Sequence, residues 1–369
     1  MTNYALWRLP GQRDYTLMQQ TIGRPVQLDS PEQLDGRNGF VLAPFSPSAD
    51  TPVLLMTPDR VEQHPVPDFS RHLENHPLVG TSLCDVEATK RHDYSVPTSQ
   101  SDVPTSGCYF VDERYAHAFN RAHEAILDGR FRKLVLSHRQ EIKFDEAPDP
   151  HALFLLACQL YPRQFVALIS MESSGTWLMA TPEILIEGRE TNLHTMSLAG
   201  TMPAPEAGTE VEWSAKNRAE QAVVTDYIVG RLQTCTRDIA CTQPYTARAA
   251  HLVHLRTDIG FRVDDCTHFG RLLHTLHPTP AVCGYPTHDA REWILAHEAH
   301  ERRYYSGFCG VLNPAGHTHL HVSLRCMQLA DHTATLYAGG GLMPDSRLES
   351  EWNEVQQKLQ TMRNLFHHV

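Results

Sequence analysis

No Cys-x-x-Cys pair occurs in this chain, although it holds nine cysteines in 369 residues. An odd, scattered set excludes a disulfide framework and a clustered zinc site, and predicts a reduced, cytoplasmic protein. No apolar run approaches the roughly 18 residues that a membrane-spanning helix needs. The N-terminus, MTNYALWRLPGQRDY, lacks the basic-then-apolar shape of a signal peptide. Basic residues are outnumbered, 32 to 43, for a net charge of −11. That balance argues against a nucleic-acid footprint and against binding to anionic lipid. It also opposes an anionic substrate at long range, so such a substrate would need a local cationic site or a metal. Internal repeats and low-complexity arrays are absent too. What remains is ordinary globular composition, 41% apolar and 20% charged, in a chain long enough for one large domain or two ordinary ones.

The richest stretch is YAGGGLMPDSRLESEWNEVQQK, Tyr337 to Lys358. Gly339, Gly340 and Gly341 follow a short apolar run, and glycine permits both positive φ and close approach of a ligand to the backbone. They read as a glycine loop before a helix, with Ser346 and Glu349 spaced as a capping box. Within the helix, Glu351, Glu354 and Lys358 fall on one face. Two carboxylates and an ammonium beside a glycine loop suit a divalent metal and an anionic small molecule; the same residues also suit a solvated face with a Glu354–Lys358 pair.

Elsewhere, ALWRL, GFVLAPF and PVLLM read as strands with a structural role. Residues 85–107, rich in Ser, Thr and Pro, read as a polar exposed loop and the best boundary in the chain. This divides residues 1–107, a divergent N-terminal part, from 108–369. Tyr115, Phe119, Ala122 and Ile126 recur at helical spacing up to Gly129. In the strand FRKLVLSHRQEIKF, Lys133 shares parity with Val135, which points it inward as a candidate base or leaves it at the strand start reaching for water. HALFLLACQL reads as an apolar helix; QFVALIS and TWLMA read as paired strands turning at Ser173–Gly175. Glu183, set in TPEILIEG, is a carboxylate in apolar sequence and a candidate general acid. Gly200 and Thr201 end a strand whose small residues admit a ligand. In the helix from Trp213 to Leu232, with Ser214 as N-cap, Glu220 aligns with Val223, Val224 and Tyr227; a buried carboxylate there needs a metal or an arginine. A proline-glycine loop presents His277, and REWILAHEAHERRYYSG reads as a helix running into an exposed turn. His317, His319 and His321 alternate along a strand, as a metal site or a polar face would.

Taken together, the stretches KLVLSHR, TPEIL, LAGT, NRAEQAVV, LHPTPAVCGYP, EAHERRYYSG, SLRC and AGGGLMPDSRLESEWNEVQQK, in that order over roughly residues 108–369, resemble the chorismate-utilising enzyme family. The resemblance implies one large α+β domain, in which two antiparallel β-sheets pack face to face with helices outside and the site lies in a cleft between them. It implies a lysine at 133 in members that add water, where ammonia-adding members carry glutamine; water needs a base to become a nucleophile and neutral ammonia does not. Ala199 replaces the covalent lysine of aminodeoxychorismate synthases, and no glutaminase partner is expected.

The activity so implied is that of an isochorismate synthase: Lys133 takes a proton from water adding at C2 of chorismate, and protonated Glu183 hands one to the departing C4 hydroxyl. By the same resemblance Glu220 and Glu354 bind Mg2+ with Glu351 beside them, a hard-oxygen set suited to that ion. Arg325, Lys358, Tyr305 and the Gly339 amide hold the enolpyruvyl carboxylate, Gly200 and Thr201 line the ring, and His277 belongs to a family motif. Salicylate synthase shares this base and acid and is the nearest alternative; an anthranilate synthase component is disfavoured by Lys133, and a non-catalytic chorismate-binding paralogue by the intact base and acid. A menaquinone, siderophore or salicylate route would use the product. Departures from the family pattern are Asn217, Gln221, His138 and Cys283.

Overall fold

In the computed structural model, residues 3–67, 110–205, 211–249 and 252–367 are described; the expected polar loop at 85–107 and the boundary drawn from it lie outside them. The first strands are β1 (Asn3–Arg8), β2 (Asp14–Gln20), β3 (Val26–Leu28), β4 (Gly39–Ala43), β5 (Val53–Met56) and β6 (Arg60–Pro65). Helix α1 (Glu113–Leu127), β7 (Lys133–Lys143) and α2 (Pro150–Leu160) lead into β8 (Phe165–Met171), β9 (Gly175–Thr181), β10 (Ile184–Arg189) and β11 (Asn192–Pro203). Then come α3 (Ala215–Leu232), β12 (Ile239–Cys241), β13 (Tyr245–Ala249), β14 (Leu252–Arg262), α4 (Phe269–Leu276), β15 (Gly284–Tyr285) and α5 (Thr287–His297). The chain closes with β16 (Phe308–Leu312), β17 (His317–Val322), β18 (Cys326–Ala330), β19 (Thr333–Leu342) and α6 (Leu348–Arg363).

Local chemistry accounts for the helices. Asp112 caps α1 by accepting from the Tyr115 amide, the apolar stripe Tyr115, Ala118, Phe119, Ala122 and Ile126 is buried, and Gly129 at φ +75° ends the turn. Asp149 and Pro150 start α2, and Ser214 caps α3 by accepting from the Asn217 amide.

Among the described residues every strand pairing is antiparallel. One sheet runs β15-β7-β19-β18-β9-β8-β1-β2-β6, the other β12-β14-β11-β10-β17-β16-β4-β5-β3, with β13 also on β14. The N-terminal strands thus complete both sheets. Between the sheets lies a core of Phe40, Leu42, Phe165, Ile169, Trp177, Cys309 and Tyr337. The outer face of the first sheet is covered by α1, α2, α5 and α6, through residues such as Phe119, Phe154, Trp293 and Val355. The outer face of the second is covered by α3 and α4, through Val224, Ile228 and Leu273. Complete burial of side chains such as Leu153 and Phe154 stabilises the fold by about 1.5–3 kcal/mol each. The face-to-face α+β architecture expected from the sequence is therefore the one found. Among the described residues no helix is long and apolar enough to cross a membrane.

Three local expectations are corrected. Gly339–Gly341 form no loop: they lie inside β19, paired with Ser137, Leu136 and Val135 of β7, and none has positive φ. The capping box at Ser346 does not form. Helix α6 starts two residues later, at Leu348, with no side-chain cap, and Ser346 Oγ instead accepts from the Met343 amide and donates to Glu351 Oε1 at 2.7 Å. The segment after α5 is exposed only in part, at Ala299 and Glu301. Glu298 pairs with Arg302 (2.7 Å from Nε to Oε2), Arg302 donates to the carbonyls of Val282 and Val135, and Tyr304, Tyr305 and Ser306 are buried. A glutamate–arginine pair at i,i+4 reads as surface in the sequence; here it ties its own segment to β7 and to the loop before β15.

Candidate active site

Lys133 begins β7, one strand in from the β15 edge, and shares Val135's inward face. Its side chain is fully buried, with Nζ 3.0 Å from Glu220 Oε1 on α3. Glu220 and Val135 line a cavity between the sheets. Glu183, Gly200, Thr201, Tyr305, Arg325, Gly339 and Lys358 line the same cavity. Residues spread over more than two hundred positions of the chain thus share one pocket.

The glycines of β19 act through the absence of a side chain. A Cβ on Gly341 would lie 2.3 Å from Glu220 Oε1 and 2.6 Å from Lys133 Cε; one on Gly339 would lie 2.8 Å from Tyr305 Oη. Gly341→Ala is therefore expected to displace the Lys133–Glu220 pair. A misplacement of this kind costs on the order of 10²-fold in turnover, while the melting temperature should fall far less, because both displaced atoms are the ends of side chains. Steady-state kinetics beside a thermal melt check this; equal activity in the variant would contradict it. Gly200 does have positive φ, +71°, at a bulge between Ala199 and Thr201, where β11 turns its backbone toward the cavity.

Glu183 sits between β9 and β10, 4% exposed. Burial pushes its carboxyl up to about 8, against the opposing pull of Lys133, Lys358 and Arg325. It is thus a protonated carboxylic acid at neutral pH, near the basic side chains of Lys133, Lys358 and Arg325.

Across the cavity, Arg325 is held in the left-handed region, φ +47°, between β17 and β18. Burial lowers its guanidinium to about 10, with Glu354 opposing, so it stays charged at neutral pH. Its Nη2 donates to His254 Nε2 (3.1 Å), and His254 Nδ1 then donates to the Gly200 carbonyl (3.0 Å). His254 thereby joins the arginine to the bulge. The sequence reading missed it, because a lone histidine in the apolar run LVHL carries no motif. Lys358 Nζ donates to Glu354 Oε1 (2.7 Å) and to the Gly339 carbonyl (2.9 Å).

Helix α6 turns Glu351 and Glu354 toward this region, so their face is not solvated. Burial raises Glu354, but Lys358, Lys216 and a hydrogen bond from Thr201 together more than reverse that and hold the carboxyl below its ordinary range. Burial, and then Glu354 itself, raises Glu351. Glu351 Oε1 accepts from Lys216 Nζ as well as from Ser346, while Glu351 Oε2 is buried with no hydrogen-bond partner. Lys216, also unforeseen, is held above its ordinary range: burial lowers it, and Glu351, Glu354 and Glu220 together more than reverse that. Its signal in sequence was only its place one turn before Glu220. An orphaned carboxylate oxygen among three glutamates is a donor set that fits a hard divalent cation.

His277 stands apart. It is not among the cavity-lining residues; it follows α4, and its Nε2 donates to the Ser306 carbonyl at 2.9 Å. Burial lowers its imidazole to about 4, so it is neutral. Its evident task is to hold the loop that carries Tyr305. The departures from the family pattern have structural partners: the Gln221 amide reaches the hydroxyls of Ser197, Thr225 and Thr257, His138 packs edge-on against Trp352 (4.8 Å), and the Cys283 thiol faces the Thr287 carbonyl. The Cβ of Asn217 borders Gly200.

Comparison with known proteins agrees with this architecture. The isochorismate synthase MenF of Escherichia coli K12 is 30% identical over 254 residues, 66% of this chain and 58% of that relative's length. The isochorismate synthase DhbC of Bacillus subtilis 168 is 30% identical over 265 residues, 68% of this chain and 67% of the relative. The match to the first relative therefore spans well under two thirds of its length. A crystal structure described as a putative 2,3-dihydroxybenzoate-specific isochorismate synthase, DhbC, from Bacillus anthracis superposes with a TM-score of 0.78 at 21% identity, covering 100% of this chain and 96% of that one. The family described as chorismate binding enzyme matches residues 81–367. With that match extending over most of its length, the chain belongs to the chorismate binding enzyme family.

Proposed function

We propose that this protein is an isochorismate synthase, converting chorismate to isochorismate in the cavity between the sheets. The carrying observation is a fully buried lysine, Lys133, 3.0 Å from the cavity-lining Glu220, in a site whose wall also carries Glu183, a carboxyl held protonated to about pH 8. One base and one acid are what an exchange of hydroxyl groups around a ring requires. Lys133 accepts a proton from the water that adds at C2. Glu183 donates its proton to the C4 hydroxyl as the C–O bond breaks and the ring double bonds shift. Arg325, Lys358 and the Tyr305 hydroxyl bind and orient the enolpyruvyl carboxylate against the Gly339 backbone, and Gly200 and Thr201 border the ring. This local positive charge offsets a protein of net charge −11 for a dianionic substrate.

Glu220 and Glu354, with Glu351 beside them, would hold Mg2+; bound there, the ion supplies positive charge to a substrate carboxylate and takes part in no proton transfer. The match between Lys133 and water, not ammonia, favours this reading over an anthranilate synthase component.

Chromatographic analysis of products from chorismate, with and without Mg2+ and without ammonia, tests the reading. Isochorismate alone, formed only with Mg2+, is expected. Salicylate with pyruvate would move the assignment to a salicylate synthase using the same base and acid, and chorismate binding without turnover would leave a non-catalytic paralogue. Glu354→Gln is expected to raise the Mg2+ concentration for half-maximal turnover by at least about tenfold, the scale seen even for outer-shell partners of metal sites. A Mg2+ titration of wild type and variant reads this directly; an unchanged midpoint would remove Glu354 from the metal set.

A further inference from the structure

Away from the cavity, three neighbouring strands bring together imidazoles and a carboxylate. Glu187 on β10 lies opposite His319 on β17 and opposite His194 on β11. Residues opposite one another in a ladder share a face, and His317 shares that face two positions before His319. The side chains converge: His319 Nδ1 is 3.2 Å from Glu187 Oε1, His194 Nε2 is 3.9 Å from Glu187 Oε2, and the rings of His317 and His319 are 4.2 Å apart. One ligand atom from each of Glu187, His317 and His319 falls within 4.8 Å of the others. A tetrahedral ion with bonds of about 2.0–2.1 Å spaces its ligands roughly 3.4 Å apart, so a small rotation of the exposed His317 ring closes the set.

A second observation points to a ligand. His319 is 7% exposed, packed toward Trp7 of the opposite sheet, yet its Nδ1 makes no hydrogen bond despite the nearby carboxylate. A buried ring nitrogen facing a carboxylate without bonding it suits a bound ion better than a finished polar network. Exposed His317 and half-exposed His194 leave a path from solvent.

We propose that His317, His319 and Glu187, with His194 beside them, bind a transition-metal dication of the Zn2+ type. The donor chemistry selects the ion: two or three imidazole nitrogens with one carboxylate suit Zn2+, whereas Mg2+ takes oxygen ligands and belongs in the acidic cavity. None of the four residues lines that cavity. The site bridges β10 and β17, the strands between which the Val322 amide bonds the Glu183 carbonyl (3.0 Å). An ion there staples together the two strands beside Glu183.

The test uses the full chain, stripped with a chelator and then held in excess Mg2+ so that oxygen-ligand sites are filled. Zn2+ binding is measured by calorimetry, and Cu2+ is used as a spectroscopic probe by electron paramagnetic resonance. Wild type is expected to bind Zn2+ with an affinity that falls at least about tenfold in His317→Ala and in Glu187→Gln, and to show nitrogen hyperfine structure from Cu2+ that His317→Ala diminishes. Zn2+ should raise the melting temperature of the wild type and not of His317→Ala. His317 is exposed, so its variant is expected to fold even where His319→Ala is not. Glu354→Gln should leave Zn2+ binding unchanged. Equal affinity in His317→Ala and wild type, loss of binding in Glu354→Gln, or loss on alkylating the exposed Cys235 and Cys241 would each overturn the proposal.

Discussion

Lys133→Gln is expected to lower kcat for isochorismate formation by about 10²–10⁴-fold, the usual contribution of a positioned general base or acid. Glutamine keeps the length of most of the side chain and a polar end beside Glu220, so the carboxylate does not face an apolar wall. It offers no nitrogen able to take a proton from water. The loss should therefore fall on kcat and not on chorismate affinity, which binding to the stripped protein measures separately. The full burial of Lys133 makes the result sharp: its amino nitrogen has no alternative in bulk water, and Glu220 lies 3.0 Å away. A variant with wild-type kcat would remove Lys133 from the chemistry. One that lost both turnover and binding would make it a binding residue instead.

Glu183→Gln should be as damaging, with a second signature in pH. Wild-type turnover is expected to fall as pH rises through about 8, where Glu183 loses the proton it must donate. Residual turnover in the glutamine variant should lack that alkaline limb. Stability carries the same sign. The carboxyl is raised from an ordinary 4.5, so the stabilisation from its protonated form is fully present below about 4.5 and lost as pH rises to about 8. Glu183→Gln should consequently melt above wild type at pH 9, with the difference closing toward pH 4.5. Coincident melting curves across that range would mean that Glu183 is not the buried acid described, and an unchanged alkaline limb would assign that limb to another group.

Much of this site was legible from residue type and parity. Lys133 shared Val135's face, Glu220 fell on an apolar stripe, and Glu183 stood alone in an apolar run; periodicity carries such facts because burial follows it. The ordered motifs over residues 108–369 carried the family and the face-to-face sheets. Less legible were elements whose local signals compete with distant contacts. Three glycines beside a polar helix start look like a turn, yet they form a central strand, because β7 pairs with them and Glu220, Lys133 and Tyr305 occupy the space their side chains would take. Ser346 looks like a cap, yet it is drawn to buried Glu351. The Glu298–Arg302 pair looks like surface, yet it bonds the Val135 and Val282 carbonyls.

Composition and local pattern decided the class of protein: an acidic globular chain with strands, amphipathic helices and inward-facing ionisable groups. These properties depend on neighbours within a few residues, which a sequence displays. Tertiary structure alone decided which ionisable groups meet. The Lys133–Glu220 pair joins positions in different elements, His254 of β14 links Arg325, between β17 and β18, to Gly200 of β11, Lys216 lies among three glutamates, and Glu187 meets His319 only through the β10–β17 register. Antiparallel pairing brings residues together by register and not by spacing along the chain. The desolvation that holds Glu183 protonated arises only once both sheets have closed around it.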